Sequence, residues 1–238
     1  MKILGIDTST MAANVAVLES DKLICEYSIN TKKTHSQKLM PMIENMLKLS
    51  DIEIKDIDAI GICIGPGSFT GLRIGMATAK AMAHVNNIPL IGINSLEILG
   101  SNMDLCNKRI CSILDAQRNQ VYTCKYIIEE NKSKATEEIS IMPIDDLLEE
   151  LSATGEEWVI VGEAVYKYKE KIESITNITI SSPANNITKA SSLCTIAKHK
   201  FEQKIDIHNC YDINPMYIRK SQAEEQYEEK QKRLRDGK

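Results

Sequence analysis

Apolar residues run through Ile3-Leu4-Gly5-Ile6 and stop at Asp7, the pattern of a strand buried on both faces. A strand is predicted over Lys2 to Asp7, ending at Thr8-Ser9-Thr10. Two more are expected over Asn14 to Glu19 and Lys22 to Ile29, joined by a tight turn near Ser20-Asp21. A helix follows from Ser36 to Ser50, with Ser36 as its cap and apolar residues at Leu39, Met42, Ile43, Met46, Leu47 and Leu49. The continuous apolar run Ile57 to Ile64 predicts a strand, and a helix then reaches Asn86. Ile88 to Ile93 is the next strand, and Ser95 opens a third helix. The order β-β-β-α-β-α-β-α implies a mixed sheet with helices on its faces.

The second half echoes the first. Arg109 to Asp115 is again an apolar strand ended by aspartate, with strands expected at Val121 to Ile128 and Glu138 to Met142. Helix Ile144 to Leu151, strand Trp158 to Val161, helix Ala164 to Ser174 and helix Ser191 to Phe201 complete it. The pattern fits a duplicated βββαβαβα architecture, with lobes at 1–102 and 103–220. The tail 221–238 carries five acids and five bases and almost nothing apolar, so it cannot build a core.

Between strand and helix lies Gly65-Pro66-Gly67-Ser68-Phe69-Thr70-Gly71-Leu72-Arg73-Ile74-Gly75. Glycine inside a helix costs about 1 kcal/mol relative to alanine, so two of them require a compensating gain. Gly71, Gly75, Ala79 and Ala83 fall on one helical face. That nearly flat face is expected to be a docking surface for another helix.

Composition narrows the function. The chain has 238 residues, 43% hydrophobic and 5% aromatic, with a formal net charge of −4. It is globular, and neither a base-stacking surface nor strong attraction to a phosphate backbone is expected. Seven cysteines, at 25, 63, 106, 111, 124, 194 and 210, form no C-x-x-C pair, which fits a reducing cytoplasm. Asp7 interrupts what a signal peptide would need, and no apolar run approaches the ~18 residues of a membrane span.

Familiar catalytic patterns fail in turn. The glycine turn precedes a helix, as a phosphate loop would, but no lysine follows Thr70 and Gly-x-Gly-x-x-Gly misses by one place. The glycines are read instead as serving a tight turn and close packing. Asp7-Thr8-Ser9-Thr10 and Asp115-Ala116-Gln117-Arg118 sit where sugar kinases and actin carry phosphate loops, yet both lack the glycine and Gly162 stands alone. A turn or capping role for each aspartate is favoured. His35, His84, His199 and His208 offer no pair at metal-ligand spacing, so His35 is expected to make a polar contact. Gly-x-Ser-x-Gly is absent, leaving Ser68 as a turn or N-cap residue. No catalytic, cofactor or metal residue is assigned on this chain.

Three stretches carry a resemblance: His35-Ser36-x-x-Leu39-x-Pro41-x-Ile43, the 65–75 run with Ala79-Lys80, and Ser95-Leu96-Glu97. With Asp115-Ala116-Gln117-Arg118, Val121-Tyr122 and Pro215-Met216-Tyr217-Ile218-Arg219, they cover the chain almost end to end. Together they resemble the TsaB (YeaZ) family. The resemblance implies a two-lobed α/β actin-like ATPase (ASKHA) fold with a degenerate nucleotide site. It implies a non-catalytic scaffold for making threonylcarbamoyladenosine in tRNAs that read codons beginning with A. TsaD would be the catalytic heterodimer partner and TsaE would join near their junction. ATP and metal would belong to those partners, tRNA would be met only through the complex, and the protein alone would be a homodimer. The two helices rich in Met, Leu, Ala and Gly would form the interface. The expected residues are His35, Leu39, Met42, Ile43 and Met46 from the first helix. From the second they are Phe69, Thr70, Gly71, Leu72, Ile74, Gly75, Thr78, Ala79 and Met82. The rival readings are an active phosphotransferase of this fold or a glycoprotease-like peptidase.

Overall fold

A computed structural model describes residues 1–31, 34–130 and 132–219; the charged tail expected at 221–238 lies outside the described residues. The first sheet is built from β1 (Lys2–Asp7), β2 (Ala12–Glu19), β3 (Lys22–Asn30), β4 (Ala59–Gly65) and β5 (Leu90–Asn94), in the order β5-β4-β1-β2-β3. β1 pairs antiparallel with β2 and parallel with β4. The helices α1 (His35–Leu49), α2 (Phe69–Asn86) and α3 (Ser95–Ser101) lie between or after these strands.

The second sheet repeats the plan. It comprises β6 (Arg109–Asp115), β7 (Gln120–Glu129), β8 (Lys132–Ala135), β10 (Trp158–Val161) and β11 (Ile178–Ile180), in the order β11-β10-β6-β7-β8. Fifth, fourth, first, second, third: the strand order is the same in both, which bears out the duplication. β9 (Ser140–Pro143) pairs with the far half of β7. The helices here are α4 (Ile144–Ala153), α5 (Lys169–Glu173) and α6 (Ala190–Gln203). The helix expected over 164–174 divides into a 3-10 turn, Glu163–Tyr166, and α5. β8 was not anticipated, because Lys132-Ser133-Lys134-Ala135 has no apolar face to announce it.

The last helix of each repeat serves the other repeat's sheet. Leu193, Cys194 and Ala197 of α6 pack with Ile3, Ala16, Ala59, Ile91 and Ile93 of the first sheet. Leu96 and Leu99 of α3 pack with Ile110, Leu114, Tyr122 and Tyr126 of the second. A methyl group on Gly5 would stand 2.6 Å from the Cys194 Sγ and 2.8 Å from the Ala190 carbonyl, so glycine there lets α6 lie directly on the strand. β12 (Ile207–His208) then adds to the free side of β5, and Ile213 is buried in the first lobe's core. The division at 102/103 is thereby corrected: α6, β12 and Ile213 pack with the first lobe, because the apolar stripe of a helix does not specify which sheet receives it. Opposite α6, helices α1 and α2 cover the first sheet through Leu39, Ile43, Met46 and Met76. α4, the 3-10 turn and α5 cover the second sheet through Leu147, Leu151, Val165 and Ile172.

Candidate docking face and interlobe cleft

α2 begins where its sequence breaks from the strand. Ser68 caps it, its Oγ accepting from the Gly71 amide at 3.2 Å. The Thr8 hydroxyl donates to the Gly71 carbonyl at 2.7 Å. A Cβ on Gly71 would lie 2.1 Å from the Thr8 carbonyl oxygen, and one on Gly75 would lie 2.4 Å from the Thr8 Oγ1. The small-residue side of α2 is thus turned inward, onto the end of β1.

This corrects the expected docking surface. Gly71, Leu72, Gly75 and Ala79 are buried, as are Leu39, Met42, Ile43 and Met46 of α1. Their bulk and flatness are spent on the chain's own sheet. Of the expected residues, Thr70 is exposed, and His35, Phe69, Ile74, Thr78 and Met82 are half-buried. The outer side of α2 carries Ala77, Ala81 and Val85, the last 77% exposed. On α1, Met40, Pro41 and Leu49 are exposed. These residues were missed, although the four-residue spacing of Ala77, Ala81 and Val85 was already an apolar stripe in the sequence.

Between the lobes lies a cleft of about 710 Å³. One wall is the 9–11 turn, the 66–70 loop and His35; the other carries Asp115, Gln117, Tyr122 and Glu163. Both aspartates shape turns, as expected. The Oδ1 of Asp7 accepts from the Ser9 amide at 2.8 Å, and its Oδ2 accepts from the Thr188 hydroxyl and from Asn14 Nδ2. Asp115 accepts from the Gln117 amide at 3.0 Å and from the Lys167 ammonium at 3.0 and 3.1 Å. The glycine loop closes over the first turn: the Ser68 amide donates to the Ser9 carbonyl at 2.6 Å, and a Cβ on Gly67 would fall 2.2 Å from that oxygen. The cradle that a triphosphate would need at this turn is filled by the chain's own backbone, so the residues present do not fit that group.

The titratable groups of the cleft are shifted by burial. His35 Nε2 hydrogen-bonds to the Thr10 carbonyl at 2.9 Å, the polar contact expected of it. Desolvation lowers its pKa below 6.5, only partly offset by that bond. Burial raises the Glu163 carboxyl above 4.5, opposed by a hydrogen bond to the Met11 backbone. Among the described residues no cluster of three His, Cys, Asp or Glu side chains could hold a metal ion. All seven cysteines are free, and burial pushes the Cys111 thiol up to about 12.

Comparison with known proteins places these features. The family model described as "TsaD: tRNA N6-adenosine threonylcarbamoyltransferase" matches residues 22–227. The tRNA threonylcarbamoyladenosine biosynthesis protein TsaB of Bacillus subtilis (strain 168) is 33% identical over 234 residues, covering 98% of this chain and 100% of that protein. YeaZ from Pseudomonas aeruginosa superposes with a TM-score of 0.77 at 21% identity, covering 91% of this chain and 99% of that one. The activator of the 2-hydroxyisocaproyl-CoA dehydratase from Clostridium difficile shares the fold alone, with a TM-score of 0.51 at 11% identity over 86% of this chain and 97% of that one. The architecture is the two-lobed α/β actin-like ATPase fold.

Proposed function

The chain belongs to the TsaB family of tRNA threonylcarbamoyladenosine biosynthesis proteins, and on that footing we propose that it is a non-catalytic scaffold subunit in the making of that tRNA modification. Its partner is a TsaD transferase, which it meets through the outer side of the α1–α2 pair; TsaE joins at or near their junction. ATP and metal are held by those partners, and tRNA is contacted only through the assembly, in the cytoplasm. Alone, the chain pairs with a second copy through the same helices.

One observation carries this reading: Ala77, Ala81 and Val85 form an exposed apolar stripe on the solvent side of α2, and Met40 and Leu49 of α1 are exposed as well. Small residues let a partner helix approach closely, and exposed methionine adapts to more than one partner. The turns that would serve phosphate transfer are meanwhile occupied by Asp7–Thr188, Asp115–Lys167 and the loop over Ser9. Among the described residues no helix is long and apolar enough to cross a membrane.

The test is Ala81→Arg, which places a charge on the stripe without touching the core. It should retain the wild-type melting temperature and lose co-purification with the cognate TsaD. Wild-type affinity for TsaD would overturn the docking face.

A further inference from the structure

The last described residues, 213–219, touch both lobes in succession. Ile213 is buried in the first lobe's core. The Met216 amide donates to the Ile64 carbonyl at the end of β4 at 2.7 Å. The Tyr217 ring stacks on Phe69, the first residue of α2, with centroids 4.3 Å apart and planes at 24°. Arg73 covers the other partner of that stack: its guanidinium carbon lies 4.0 Å from the Phe69 centroid, and its Nε donates to the Tyr217 hydroxyl at 3.1 Å. Arg219 then reaches the second lobe, donating to the Ala116 carbonyl and, at 2.9 Å, to the Gln120 Oε1.

Met216, Tyr217, Ile218 and Arg219 all line the interlobe cleft, whereas no residue of α3 or α6 does. The lobes are therefore joined twice, by different means. The exchanged helices join them through packed cores, and the C-terminal end of α3 is tied to the loop before α6 by Asn102 Nδ2, which donates to the Asn185 and Ile187 carbonyls at 2.9 and 2.8 Å. At the cleft they are joined by the Glu163 carboxyl, hydrogen-bonded to the Met11 backbone, and by residues 213–219, whose contacts with the second lobe include the Arg219 guanidinium on two neutral oxygens.

We propose that residues 213–219 are a latch that holds the two lobes closed across the cleft, with Arg219 as its catch and the Tyr217–Phe69 stack as its pivot. Release of Arg219 removes this tie between the 116–120 turn and the segment anchored on the first lobe, while the exchanged helices keep the molecule whole. Because the pivot is the first residue of α2, the latch also sets the start of the helix assigned to partner docking. The latch itself is drawn from intramolecular geometry and stands whether or not that docking assignment is right.

Native-state hydrogen exchange on the full-length protein tests it. Arg219→Met and, from the opposite wall, Gln120→Met should each raise amide exchange in residues 116–122 and 214–219 at least tenfold. Strands β1, β4 and β6 should exchange as in the wild type. Arg219→Lys, which keeps one donor, should restore part of the protection. Unchanged exchange in both segments would overturn the latch. So would acceleration spread evenly over both sheets with a fall in melting temperature, which would make Arg219 a contributor to global stability instead.

Discussion

Thr8 and Gly75 are in contact across the first lobe: the threonine hydroxyl occupies the place where a side chain on residue 75 would begin, 2.4 Å from its Cβ position. The same hydroxyl donates to the Gly71 carbonyl. α2 is thereby stitched to the turn after β1, and the two helical glycines are the condition for it. Their helix penalty, about 1 kcal/mol each, is offset by burial of α2 on the sheet. Gly75→Ala is accordingly expected to destabilise the isolated protein by about 1–3 kcal/mol. Gly71→Ala should cost more than Gly75→Ala, because it meets a backbone carbonyl that cannot swing away. Urea denaturation of the three proteins measures both; an unchanged midpoint for either variant contradicts the packing described.

Asp7 is fully buried and holds three groups at once, the Ser9 amide, the Thr188 hydroxyl and Asn14 Nδ2. Removing it strands three donors. Asp7→Ala is expected to cost at least about 1–3 kcal/mol, the penalty of one unsatisfied buried group. Asp7→Asn should be milder than Asp7→Ala, since an amide oxygen still accepts. Thermal melts that rank the two in the opposite order would show that the network contributes little.

The cleft should respond to acid through Glu163. Burial raises its carboxyl above 4.5 in the folded chain, so the folded state takes up the proton more readily than the unfolded one. The stability this confers is fully present below 4.5 and is lost as pH rises through the folded value. Glu163→Gln keeps an acceptor for the Met11 amide and removes the ionisation. Relative to it, the wild type is expected to gain melting temperature as pH is lowered from neutral toward 4.5. A difference that stays constant over that range would show that Glu163 titrates normally.

His35 runs the other way. Its pKa is lowered by burial, so its contribution is present above 6.5 and is lost as pH falls through the folded value. His35→Gln, which can still donate to the Thr10 carbonyl, should flatten the acid side of the stability profile below pH 6.5. An unchanged profile would place the ring in water.

Nucleotide binding by the isolated chain is expected only in the millimolar range or not at all, because the Ser68 amide is already donated to the Ser9 carbonyl and Asp115 is already paired with Lys167. Isothermal calorimetry with ATP and magnesium decides this; micromolar affinity would reopen the phosphotransferase reading.

Much of the fold was legible because its buried strands are written as apolar runs with hard stops at Asp7 and Asp115. The Ser68 cap and the two turn-forming aspartates were legible too, since each acts within three residues of itself. What could not be read was which side of α2 faces inward. Gly71-Gly75-Ala79-Ala83 and Ala77-Ala81-Val85 are both small and apolar, and only Thr8, 63 residues from Gly71, settles the choice. Likewise nothing local in α6 distinguishes the first sheet from the second, and Ile207-His208 is too short to register as a strand. The Arg219 contacts with Ala116 and Gln120 span 103 and 99 residues, and a lone arginine near the end of the described chain carries no sign of them.

The exchange of α3 and α6 has a consequence for how this protein is made. Five of the first sheet's six strands are in the sequence by Asn94, but the helix that seals its second face begins at Ala190. At about 5–20 residues per second, a ribosome holds that sheet half-covered for several seconds or more. Expression of the amino-terminal half by itself should therefore yield a sticky, chaperone-bound species, and supplying the carboxy-terminal half in trans should rescue it.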